Sequence, residues 1–200
     1  MIRSVSFDQF EILESIKTLL EVEQFDADLS YGNGTFYKNS TEPLHKFDID
    51  PQRDNVTRAS STALPLADQS ISTAVFDPPF LTYIKAAREH DSVMAKRYGG
   101  YWTYDELATH YIDTLKEAHR IIKPKGCLVF KCQDIVHNHK LHPTHINVTK
   151  WADGLFRLKD LFILAAKSRM AVPEQEGMKP KRQKHARIFH SYFMLLERLK

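Results

Sequence analysis

Two short stretches of this chain bring acids, glycines and prolines together in patterns that could do chemistry. The first runs Asp28-Leu-Ser-Tyr-Gly32-Asn-Gly34-Thr-Phe36, behind an apolar run and ahead of an expected helix. Glycines at such a strand-to-helix turn let a ligand approach the backbone closely, and amides at a helix N-terminus favour a carboxylate or phosphate. A lone G-x-G is more often only a turn. Here the next apolar run ends in FDIDP, whose acids Asp48 and Asp50 lie where a strand-tip carboxylate can grip both hydroxyls of a ribose. The second stretch, Asp77-Pro78-Pro79-Phe80, directly follows the apolar STAVF. Two prolines stiffen this turn, and a proline has no amide proton to compete for the Asp77 carboxylate and the Pro78 carbonyl. By itself it reads as a rigid polar turn after a buried strand.

Taken together the two stretches say more. The spacing D-x-x-x-G-x-G, with Asp50 sixteen residues beyond Gly34, resembles the cofactor half of the Rossmann-like methyltransferase family. The resemblance implies S-adenosylmethionine as cofactor, with Asp28, Gly32 and Gly34 around its methionine part and Asp50 at its ribose. A nicotinamide dinucleotide fits less well, because G-N-G-T-F lacks the third glycine of G-x-G-x-x-G. The segment SSTALPLADQSIS resembles the family's third segment, with Ser60 or Ser61 where an aspartate usually stands near the cofactor adenine.

Asp77-Pro78-Pro79-Phe80 resembles the (D/N/S)-P-P-(Y/F/W) signature of methyltransferases that modify exocyclic amines. The lone pair of such an amine is delocalised into its ring, so attack on a methyl sulfonium requires the nitrogen to be drawn toward tetrahedral geometry. Acceptors on its hydrogens, here Asp77 and the Pro78 carbonyl, would do this. Phe80 would stack on the extruded base, a contact worth about 1 to 3 kcal/mol. Methylation of a ring carbon would instead need a nucleophilic cysteine, and neither Cys127 nor Cys132 follows a proline in a loop. The resemblance extends over most of the chain, although only residues 28–36, 48–50 and 77–80 are specific.

Further candidates lie on the substrate side. Arg97-Tyr-Gly-Gly-Tyr101-Trp102 suits a mobile lid that stacks on nucleic acid; equally, Tyr101 and Trp102 could staple the helix that follows. Basic residues cluster at Lys85, Arg88, Lys96 and Arg97, and at Lys179, Lys181, Arg182, Lys184, His185 and Arg187. Lys181 and Arg182 stand as phosphate contacts against the bland reading of a solvated loop. Lys131 and Asp134 end a strand where open α/β sheets bind ligands, making Lys131 a candidate substrate contact. Histidines 137, 139, 142 and 145 have ligand-like spacing, yet no cysteine or glutamate completes a site and the chemistry needs no metal; a polar loop is expected there.

These residues need elements to hold them. Apolar runs at 25–30, 46–50, 73–76, 126–132, 158–165 and 191–196 alternate with helical patterns, which predicts an α/β fold with a mostly parallel sheet and helices on both faces. By the resemblance the sheet has seven strands and ends in an antiparallel C-terminal hairpin. Phe7, Phe10, Leu13, Ile16, Leu19 and Leu20 mark an amphipathic helix within the first 24 residues, and Leu107, Tyr111, Leu115, Ala118 and Ile122 another, with Thr103 and Glu106 as a capping box. Two long connections, 81–102 and 169–186, are expected to face the substrate. Cys127 and Cys132, an odd number apart in one strand, point to opposite faces and predict no disulfide.

A chain of 200 residues suits one domain, here with no separate target-recognition region, and 42% hydrophobic with 26% charged residues excludes disordered and fibrous classes. The N-terminus resembles neither a signal peptide nor a membrane span, so a cytoplasmic protein is expected. The reading is therefore a methyltransferase for an exocyclic amine of a nucleobase, adenine N6 in DNA first, with nucleic acid as partner and any target selectivity shared with a partner subunit. Two alternatives stay open: an RNA base or protein lysine as acceptor, and a catalytically silent subunit that binds nucleic acid.

Overall fold

The computed structural model describes residues 1–80, 101, 103–166 and 184–200. In chain order, the strands are β1 (Val5–Ser6), β2 (Ala27–Asp28), β3 (His45–Asp48), β4 (Thr57–Arg58), β5 (Ile71–Phe76), β6 (Ile122–Cys132), β7 (Ile135–His137), β8 (Lys140–His142), β9 (Phe156–Ala165) and β10 (His190–Arg198). The helices are α1 (Gln9–Leu20), α2 (Tyr104–Ile121) and α3 (Thr144–Trp151), with a single 3₁₀ turn at Thr35–Tyr37.

Eight strands form one sheet in the order β1-β9-β10-β6-β5-β2-β3-β4, and β7 pairs with β8 separately. The five strands β4, β3, β2, β5 and β6 are mutually parallel, whereas β10 runs antiparallel to both β6 and β9. The expected hairpin is present, with Tyr192 opposite Ile163. The expected count of seven is corrected to eight. β1 and β4 are two residues long, too short to show the period-2 pattern that identifies a strand in sequence. A further hairpin, β7–β8, occupies the histidine-rich segment expected to be a loop.

Parity along the strands divides the core in two. On one face Ala74 and Phe76 of β5 and Leu128, Phe130 and Cys132 of β6 pack under α2, with Leu107, Tyr111, Leu115 and Ala118 as its buried stripe. On the other face Val75 and Val129, with Cys127, Phe162 and Phe193, pack against α1. The two cysteines thus fall on opposite faces as free, buried thiols.

α1 begins later than its apolar pattern suggests. Asp8 caps it by accepting from the amide of Phe10, and the inward stripe is Ile12, Leu13 and Ile16. Phe7 is 65% exposed, Phe10 37% and Leu19 38%, which corrects their expected burial. Phe7 precedes the helix, and Ile12 with Ile16, four residues apart, sets the face that turns inward. α2 starts as its capping signal predicts, with the Thr103 hydroxyl accepting from the amide of Glu106. No helix among the described residues is long and apolar enough to cross a membrane.

Phe76 joins this core to the site, since it meets Phe130 at 5.1 Å and Tyr111 at 5.9 Å edge to face and is followed at once by Asp77. Phe76→Ala is expected to destabilise the fold by about 3 to 5 kcal/mol, read as a lower urea midpoint with an unchanged slope.

Candidate functional site

Three charged groups end neighbouring parallel strands on one face of the sheet. Since Phe76 and Phe130 face α2, alternation turns Asp77 and Lys131 toward α1, and Asp28, one residue past Ala27 of the α2-side cluster, turns the same way. The C-terminal ends of parallel strands are where open α/β sheets bind their ligands.

Asp28 is buried, and each of its oxygens is used: Oδ1 accepts from the amide of Ser30 at 2.8 Å and Oδ2 from the hydroxyl of Tyr37 at 2.7 Å. Burial pushes its carboxyl up from 3.8 to about 7; the Tyr37 and Ser30 hydrogen bonds oppose that shift, while Asp77 and Asp48 add to it. Beyond Asp28 the chain passes through Gly32 and Gly34, both with positive φ, at 60° and 79°. A Cβ at Gly34 would stand 2.6 Å from the Tyr31 hydroxyl and 2.8 Å from an Arg53 nitrogen, whereas one at Gly32 would meet nothing within 4 Å. Gly34 thus serves a tight turn and Gly32 borders open space. The helix expected after this turn is only the 3₁₀ turn Thr35–Tyr37.

The acid joined to the glycine turn is Asp48. Its Oδ2 accepts from the amide of Gly32 at 2.7 Å and its Oδ1 from that of Asp50 at 2.8 Å. Asp50 is exposed, and its carboxylate meets Arg58 at 3.2 Å. Both acids belong to the FDIDP signal, and only the register of β3 tells them apart.

The Asp77 amide donates to the Ser30 hydroxyl at 2.9 Å, which ties the β5 tip to the start of the glycine turn. Lys131 straddles the Asp77 carboxylate, 3.2 Å from Oδ1 and 3.3 Å from Oδ2, and donates as well to Oε1 of Gln9 at 3.1 Å. Burial raises the Asp77 carboxyl above its ordinary value and Lys131 pulls it back down. Pro78 is buried; Phe80 is half-buried and packs, like Tyr101, against the α2-side core. Among the described residues nothing donates to the Pro78 carbonyl, while the carbonyl of Pro79 accepts weakly from Tyr111 at 3.5 Å.

On the α2 side a chain of hydrogen bonds runs from Tyr101 through His110 (2.5 Å) to Ser61 (2.7 Å) and on to Thr114 (3.0 Å). Ser60 turns instead to Thr62 at 2.8 Å. Of the histidine run, His145 pairs with Asp134 at 2.7 Å and stacks on Tyr192 at 4.1 Å, and His142 stacks on Tyr104 at 3.9 Å. The carbonyl of His139 accepts from His185 at 2.8 Å. Arg97, Trp102, Lys181 and Arg182, with most of the two long connections, lie outside the described residues.

The structure thus brings together Asp28, Gly32, Gly34, Asp77 and Lys131, and leaves Asp50 at the periphery. Sequence reasoning missed Gln9 and Tyr37, which carry no motif of their own, and of the acidic pair Asp48 and Asp50 it gave the ribose to Asp50, whereas Asp48 is the one bonded to the glycine turn.

No protein-family model and no curated protein matches the sequence. Solved structures do. A Galdieria sulphuraria protein assigned as a sarcosine dimethylglycine methyltransferase superimposes with TM-score 0.54 at 15% identity, over 94% of this chain and 84% of its own. TrmN from Thermus thermophilus does so with TM-score 0.54 at 15% identity, over 94% of this chain and 48% of its own. A further match is the complex between the Haloferax volcanii Trm112 methyltransferase activator and a methyltransferase, with TM-score 0.50 at 14% identity, over 97% of each chain. The chain has a methyltransferase fold. It spans about half the length of TrmN, and 49% of a second Thermus thermophilus protein, one assigned as a DNA modification methylase.

Within this methyltransferase fold Asp28 makes a measurable signature. Its folded pKa, about 7, is raised above the ordinary 3.8, so the stability linked to its proton is complete below pH 3.8 and is lost as pH rises through 7. Thermal midpoints across that window are expected to fall. In Asp28→Asn, which keeps one acceptor and has no proton to lose, the fall is expected to flatten; an unchanged slope would contradict the assignment.

Proposed function

We propose that this chain is an S-adenosylmethionine-dependent methyltransferase acting on an exocyclic amino group of a nucleobase, adenine N6 in DNA foremost. The observation that carries the reading is Asp77, whose backbone amide is tied beside the glycine turn by the Ser30 hydroxyl and whose carboxylate is kept at the ligand end of the sheet by Lys131.

The residues present fit the cofactor. Gly32 leaves open space where a side chain would stand, and Asp48 orients the amide of that residue. Asp28, Gly32 and Gly34 would hold its methionine part, Asp48 or Asp50 its ribose, and Ser60 the region of its adenine. When bound, S-adenosylmethionine supplies an electrophilic methyl group on a sulfonium.

The chain's own residues act on the acceptor. Asp77 and the Pro78 carbonyl accept the two hydrogens of the amine, drawing its lone pair out of conjugation and toward the donor. Phe80 offers a ring face against which the base can stack. Pro78 and Pro79 keep the acceptors rigid, since neither residue can bend back to donate an amide proton. Lys184 and Arg187, with Lys181 and Arg182 before them, supply positive charge for a phosphate backbone, and DNA is the leading nucleic acid.

Labelled S-adenosylmethionine, incubated separately with DNA, RNA and protein, tests this directly: label is expected in DNA, on adenine N6. Asp77→Ala is expected to lower transfer by at least about a hundredfold while cofactor binding by calorimetry stays within a few fold. Label in RNA or protein alone would move the acceptor, and full transfer by Asp77→Ala would remove the proposed role.

A further inference from the structure

We infer that Lys131, anchored by Gln9 of α1, is a positioning residue that holds the Asp77 carboxylate turned toward the amine to be methylated. This rests on the function proposed above and assigns parts to two residues that its motifs do not include.

Lys131 is 8% exposed. A buried ammonium is a poor way to gain stability, because the desolvation cost of the ions offsets much of their attraction, and an apolar residue of similar size serves as well. Its surroundings fix it tightly. Nζ lies 5.0 Å from the ring centre of Phe36 and 5.3 Å from that of Phe193, with Gln9 and Asp77 taking its protons. The Gln9 amide is fixed at its other end, where Nε2 donates to the carbonyl of Phe36 at 2.8 Å. One amide and one ammonium thus link the start of α1, the turn after Gly34, and the tips of β5 and β6.

The geometry suits an acceptor. A carboxylate offers about four lone-pair directions, and an ammonium nearly equidistant from both oxygens takes the inner two. Among the described residues no other group donates to this carboxylate, and the outer pair faces N–H groups arriving from the ligand side.

Charge follows the same logic. Among the described residues, those facing Asp77 are Lys131 from β6, Asp28 from β2, and the hydroxyls of Tyr37 and of Tyr111 on α2. Of these only Lys131 is a cation. Burial raises the carboxyl and Lys131 lowers it, so without the ammonium Asp77 takes up its proton at higher pH. A protonated Asp77 has an O–H where an acceptor is needed, and the acid limb of the rate profile then moves upward.

The test uses the full chain as wild type, Lys131→Met, Lys131→Arg and Gln9→Ala, with labelled S-adenosylmethionine and duplex DNA. Carboxyl carbon NMR follows Asp77, its signal assigned by loss in Asp77→Asn. In Lys131→Met, Asp77 is expected to titrate at higher pH than in wild type, and kcat at neutral pH to fall by about tenfold or more with recovery in alkali. Lys131→Arg is expected to keep the wild-type limb, and cofactor affinity to change by less than about threefold in both. An unmoved Asp77 titration in Lys131→Met, or a rate loss equal at every pH, overturns the inference.

Should Lys131→Met not fold, Gln9→Ala decides, because it keeps the cation and removes only its anchor. A kcat lowered several-fold with unchanged cofactor affinity supports the positioning role, and wild-type kinetics overturn it. The NMR titration needs no turnover. A wild type that methylates nothing while Asp77 responds to Lys131 therefore fails the proposed function alone.

Discussion

Charge compensation at the ends of three neighbouring strands governs this site. Asp28, Asp77 and Lys131 share one face of the sheet, and placing two carboxyl groups, Asp28 buried and Asp77 half-buried, beside a single ammonium leaves more negative charge than the cation can match. The remainder is met by hydrogen bonding, with Tyr37 and Ser30 donating to Asp28, while the Gln9 side-chain carbonyl accepts from Lys131 and fixes its direction. Asp28 still lies near neutrality in its proton affinity because those donors offset only part of its desolvation. A site already short of positive charge is a suitable place for a sulfonium or an amine, since either reduces the imbalance.

The strand that runs backwards matters to the same region. β10 enters at the C-terminal end of β6, and its alternation sends Phe193 to the Lys131 side and Tyr192 to the other, where it meets His145 and Asp134. A single antiparallel strand therefore supplies both an aromatic wall for the buried ammonium and a ring on which His145 of α3 stacks. α1 closes the first of these from above through Gln9, at the first residue of the helix, where its side chain points back over the turn that begins it.

The glycine turn is built on similar economy. Gly34 takes a φ of 79°, where any side chain is strained, with the ends of Tyr31 and Arg53 close against it, and Asp48 reaches across from β3 to hold the amide of Gly32. The turn is thus shaped from three directions before any ligand arrives, which is the preorganisation that electrostatic catalysis requires.

Much of this was legible in the order of residues. The α/β class, the cap at Thr103, the opposed cysteines and the turns at Gly32 and Asp77 all follow from local signals: hydrophobic period, capping residues, and glycine or proline where the backbone demands them; the C-terminal hairpin followed from the family resemblance. The two-residue strands, the inward stripe of α1 and the hairpin among the histidines were not legible, since short elements carry no period and helix orientation depends on what the helix meets. The same division holds for the site. Asp77 could be singled out from its neighbours in sequence, whereas its pairing with Lys131, 54 residues on, and that lysine's hydrogen bond to Gln9 near the start of the sequence exist only in the folded molecule. Local chemistry is written along the chain because it depends on adjacent backbone. The protonation and direction of a buried carboxylate depend on groups that strand order and parity bring to it, and these the tertiary structure alone decides.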